Sequence, residues 1–219
     1  MHHQVFDLFF KATLATLEMV FASAAIAVLF GLPLAVLLTI TRPGGLWPVR
    51  LIGRLLGVVV DLTRAVPFII LLVVLIPFTR FVMGTALGTA AAIVPLSITA
   101  IPYFARIAEV SLREVSPALI DAVRAMGATR AKVVRSVLIP EALPGLASGL
   151  TVTLVTLISA SAMAGVVGAG GLGDLAIRYG YQRFNTVMML WVVSILVVLT
   201  ILVQIVGNAI SARLRKNFT

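Results

Sequence analysis

The 219-residue sequence contains no cysteine. Disulfide staples, thiolate nucleophiles and cysteine metal ligands are excluded, and nothing marks the redox compartment. Histidine is almost as scarce. The only two, His2 and His3, lie at the extreme N-terminus and read as a frayed end, not a metal site. A Ser/His/Asp set is therefore out of reach, and neither a G-x-x-x-x-G-K-[ST] phosphate loop nor an H-E-x-x-H helix occurs. No catalytic residue and no metal site is expected. Charge is thin, at 11% of residues against roughly 25% in an average soluble domain.

What fills the sequence is apolar, at 61% of residues, and it is arranged in long runs. A bilayer core of about 30 Å takes roughly 20 helical residues to cross. Four stretches without Asp, Glu, Lys or Arg are long enough: Met19 to Thr41, Phe81 to Ala105, Ala142 to Gly173 and Phe184 to Ala212. A fifth, Ala65 to Thr79, is short and needs Leu55 to Val60 to complete it, across Asp61 and Arg64. Those two charges, at i and i+3, can pair on one helix face, which lowers their cost near the membrane boundary. The expected fold is an all-α integral membrane protein, one transmembrane domain over 1–219 with five spans near 17–41, 57–79, 84–108, 141–166 and 186–210. Residues 1–18 lack the basic start and short apolar core of a cleavable signal, so the first helix is expected to be retained.

The 17 basic residues are unevenly placed. Arg42 to Arg64, Arg106 to Arg135 and the tail at Arg213, Arg215 and Lys216 hold most of them. Lys11, Arg80, Arg178 and Arg183 are the remainder. The positive-inside rule then predicts a cytoplasmic C-terminus and an N-terminus outside. Membrane lipid phosphates suffice as partners for these charges, and nucleic acid is not expected as one.

One polar segment, 111–140, is more than a connector. Ser116 as N-cap and Pro117 at the first helical position predict a helix over 117–126, with Leu119, Ile120, Val123 and Met126 on one apolar face. Gly127 suits the left-handed conformation that ends a helix, and Thr129 can cap the next. An amphipathic helix without a local core should bury its apolar face in a partner, with a lipid-bound interfacial helix as the alternative.

Asp121-Ala122-Val123, then Gly127, then Val137-Leu138-Ile139-Pro140 resembles the EAA motif of permease subunits of ATP-binding-cassette importers. That pattern reads Glu-Ala-Ala, three residues, Gly, nine residues, Ile-x-Leu-Pro. Asp121, Val123, Val137 and Ile139 depart from it, yet the acid, the turn and the proline remain. Thr41 to Gly44, Arg64 to Leu72, Ile76 to Arg80 and Ala169 to Gly173 are similar to the methionine-importer branch.

The resemblance implies a type I importer permease fold with five helices, working as a homodimer in the bacterial inner membrane. It implies two cytoplasmic ATPase subunits as partners, which bind the ATP so that this chain needs no cofactor, and a substrate-binding protein outside. Leu119, Asp121, Ala122, Val123, Met126, Gly127 and Ala128 would form the ATPase-coupling element. Uptake of another amino acid or small solute is the alternative within the class. A stand-alone secondary transporter is the distant one, poorly matched by so few intramembrane charges.

Three further expectations concern the membrane core. Ser159, Ser161 and Met163, amid small residues, are candidates for a translocation path suited to a neutral or zwitterionic solute. Gly168, Gly170, Gly171 and Gly173 fit a dinucleotide fingerprint by pattern alone. They follow a membrane span and not a strand, so they are expected to form a turn at the outer end and part of a gate. Gly84 with Gly88 and Gly145 with Gly149 are G-x-x-x-G pairs that predict close packing, between copies or within one chain.

Overall fold

The computed structural model describes residues 2–216, with side chains from residue 5, so both histidine side chains lie outside the described residues. The described chain is almost wholly helical. It runs α1 (His2–Thr41), α2 (Arg50–Ala65), α3 (Phe68–Val74), α4 (Ile76–Met83), α5 (Thr89–Arg113), α6 (Pro117–Ala125), α7 (Arg130–Val133), α8 (Ile139–Ala164), α9 (Gly171–Leu175) and α10 (Thr186–Lys216). Four stretches are long and apolar enough to cross a membrane, and the bent pair α2–α3 makes a fifth.

The centre is α1 packed along α5, with α8 against both and α10 on the outside of α8. Between membrane helices there is little hydrophobic drive, so small residues that admit close backbone approach decide which faces meet. Ala24, Ala27 and Ala35 of α1 and Ala100, Ala105 and Ala108 of α5 are all buried. Of α10 only Val192 and Ser211 are buried, so most of this helix faces outward.

The second expected span, 57–79, is not one rod. Val66 and Pro67 are extended, at φ −80°, ψ 125° and φ −56°, ψ 134°, and α2 and α3 meet at 100°. Pro67 disfavours a helical Val66 and removes a backbone donor, which stops α2. Gly84 (φ 74°) and Gly88 (φ 91°) lie in the α4–α5 connection, so they form no helical G-x-x-x-G face. Gly145 and Gly149 do mark close packing, and it is within the chain. A β-carbon on them would lie 2.7 Å from Ser111 Oγ and 2.6 Å from Ile107 Cγ2 of α5.

The fourth helical stretch begins earlier than expected, at Arg130, and continues to Val167. Pro140 is the second residue of α8. A π-helical turn, Val134–Leu138, precedes it, with the Ile139 N–H donating to the Val134 carbonyl. Widening the turn accommodates a proline that would otherwise interrupt the helix.

Candidate functional site

At one end of the bundle lie the α1–α2 connection, the ends of α5 and α10, and helix α6. Pro117 occupies its first position, and Ser116 contributes its carbonyl to the N–H groups of Leu119 and Ile120 but no side-chain cap. The helix stops at a Schellman motif. Gly127 stands at φ 83°, its N–H donates to Arg124 O at 2.9 Å, and Ala128 N–H donates to Val123 O at 3.3 Å. Thr129 Oγ1 then accepts from Lys132 N–H at 3.3 Å and caps α7. Local residue chemistry thus determines both helix ends.

The apolar stripe of α6 splits into two faces. Ile120 and Val123 pack on the bundle core, whereas Leu119 and Met126 project outward, Met126 with 78% of its surface exposed. Asp121, Ala122 and Gly127 are exposed as well, and Ala128 is half-buried. Asp121 and Arg124 are 3.6 Å apart on the exposed side. Arg130 lies 5.4 Å over the Trp47 ring and ties the α1–α2 connection to the start of α7.

An ion-pair network at the same end was only partly legible in sequence. Asp61 and Arg64 pair at 3.6 Å as their spacing predicts. Arg106 of α5 joins them, donating to Asp61 Oδ2 at 2.8 Å and to Glu109 Oε2 at 2.7 Å, and Arg113 stands 3.6 Å from Glu109. The Glu109 side chain is only 7% exposed. Its i−3 and i+4 arginines were the available signal for this cluster.

At the opposite end, the fourth helical stretch turns back through Gly168, Gly170 and Gly171, all at positive φ, into α9, which is buried throughout. The Gly88 N–H donates to Gly168 O and the Leu172 N–H to Thr16 Oγ1, tying this turn to α5 and α1. Gly173 packs so tightly that a β-carbon there would lie 2.2 Å from the Ala162 carbonyl oxygen. Asp174, buried, pairs with Arg178 one turn on, a contact that i,i+4 spacing could have signalled.

The three candidates on α8 do not converge. Ser159 and Met163 line an open, mostly apolar groove of about 600 Å³ between α8 and α10, with Val193, Val197 and Thr200 opposite. Ser161 is buried and donates to Ile158 O at 2.8 Å, away from that groove. Among the described residues no group of His, Asp or Glu is arranged to hold a metal ion.

The chain is thus a multi-pass helical bundle with an outward-facing amphipathic helix at one end and a glycine turn at the other. The chain belongs to the family described as the binding-protein-dependent transport system inner membrane component, which matches residues 27–216. It is 48% identical over 207 residues to the probable D-methionine transport system permease protein MetI of Vibrio cholerae, covering 94% of this chain and 92% of that protein. Over 175 residues it is 40% identical to the methionine import system permease protein MetP of Bacillus subtilis, covering 80% and 79%. A solved chain of the inward-facing MetNI methionine ABC transporter superposes with a TM-score of 0.96 at 45% identity, covering 98% of this chain and 99% of that one.

Proposed function

We propose that the chain is one of two identical permease subunits of a methionine importer, driven by two cytoplasmic ATPase subunits and supplied from outside by a binding protein. The observation that carries this reading is helix α6, which among the described residues leaves Met126 78% and Leu119 38% exposed on the outside of the bundle. The names of the relatives supply the substrate. The basic bias of the α6 end supports placing it, with the C-terminus, in the cytoplasm and the glycine turn outside. ATP belongs to the partner subunit, and this chain requires no cofactor.

On this reading α6 is a lever. Ile120 and Val123 rest on the core, and the continuous helix from Arg130 to Val167 carries any push on α6 along α8 towards the glycine turn. Transport needs two packings of such helices, one open to each side. Ser159 and Met163 line the path, while Ser161 serves packing. Replacing Met163 with Ala should raise leak or uncoupled transport.

The test is co-expression with the ATPase subunit, purification in mild detergent, and reconstitution. The ATPase should be retained, and uptake of labelled methionine should require ATP and the binding protein. Full uptake by the permease without the ATPase would overturn the reading.

A further inference from the structure

A cleft of about 220 Å³ opens where the end of α1, the first two turns of α2 and the end of α5 meet. Arg42, Arg50, Arg54 and Arg106 line it, against a single carboxylate, Glu109. Glu109 is already taken by Arg106 and Arg113, and Asp61 by Arg106 and Arg64. Among the described residues, Arg42, Arg50 and Arg54 therefore have no ion-pair partner, and the Arg42 Nε is buried without an acceptor.

The backbone adds to the same sign. Arg50 opens α2, whose first turn holds no acid and whose N-cap, Val49, provides no side-chain acceptor, so the partial positive charge of the helix end is uncompensated. Three unpaired guanidiniums line one cleft beside a helix N-terminus, a concentration of positive potential that an anion would relieve. A phosphate matches the planar donor fork of arginine. Room exists for it, since nothing stands within 4 Å of where a β-carbon on Gly57 would lie.

We infer that this cleft binds the phosphodiester headgroup of an anionic phospholipid. A lipid is favoured over a free phosphate because the cleft adjoins an uncovered apolar face of α2. Leu55, Val58 and Val59 are 49 to 60% exposed there and offer acyl chains a surface to follow. The inference rests on the cytoplasmic placement of this end proposed above, where anionic headgroups meet basic pockets between helices.

The test is native mass spectrometry of the intact transporter, permease with its ATPase subunit, after exchange into detergent with phosphatidylglycerol or phosphatidylcholine. One phosphatidylglycerol per permease chain should be retained in preference to phosphatidylcholine. Retention should fall at least tenfold in the Arg50→Gln/Arg54→Gln variant, stay unchanged in the Lys132→Gln variant, and resist millimolar inorganic phosphate. Equal retention of the two lipids by the unaltered chain, or unchanged retention in the double variant, would overturn the site. Displacement by inorganic phosphate would overturn the lipid assignment. The lipid preference of the unaltered chain decides the question even if the double variant fails to fold. The ATPase signal in the same spectra reports separately on the permease reading.

Discussion

At Gly173 one methyl group separates a packed turn from a broken one. A β-carbon would press against the Ala162 carbonyl oxygen, and backbone cannot swing aside as a flexible side chain can. Gly173→Ala should destabilise the protein by about 3 kcal/mol, the upper range for overpacking, seen as a lowered thermal unfolding midpoint in detergent. The ion-pair network makes a graded prediction. Glu109 is buried between two partly exposed arginines, Arg106 and Arg113, so Glu109→Gln removes the charged acceptor both share and should cost about 2 kcal/mol. Asp61 is half exposed, and Asp61→Asn should cost less than about 1 kcal/mol in the same measurement. Equal shifts for the two variants would contradict the burial that separates them. The sequence pointed to Asp61 with Arg64 because they are three residues apart. It could not reveal Arg106 reaching across 45 residues, since that contact exists only once α2 packs on α5.

Among the elements, α6 gives the sharpest separation of roles. Leu119→Asp and Met126→Asp should release the ATPase subunit in a pull-down while leaving thermal unfolding unchanged, because both side chains already face outward. Val123→Asp should lower stability, because that side chain packs on the core and a charge there would be buried. Release of the ATPase by none of the three would remove α6 from the interface. The ends of this helix were readable because Pro117 and Gly127 act locally, whatever packs around them. The direction of Ser161 was not. α8 is apolar nearly all round, so its periodicity has no phase to say which side meets the bundle. The bend at Pro67 did have a local signal, since a proline disfavours a helical residue before it, but apolar content alone, by which the span was drawn, looks the same whether the run is straight or folded.

For the whole molecule, orientation is the property to measure, and the lack of cysteine makes it simple, since no native thiol must first be removed. In intact cells a membrane-impermeant maleimide should label the Thr85→Cys variant, at the glycine-turn end, and spare Met126→Cys. Inverted vesicles should reverse the pattern, and the opposite result would place α6 outside. The broken second span bears on something earlier than transport, namely how the chain enters the membrane as it is made. Helices α3 and α4 together cover roughly 24 Å at 1.5 Å per residue, short of a bilayer core. The α2 segment before them carries Asp61 and Arg64, charges that weaken its apolar signal even though pairing and a place near the membrane boundary keep their cost well below the roughly 3 kcal/mol each would carry at mid-membrane. Taken alone during synthesis, this is the segment an insertion machinery has least reason to accept. Arg106, which completes the charge pairing, emerges only with α5, so a chain truncated before α5 should integrate its second span less completely than one that includes it, as a glycosylation-site insertion assay would read.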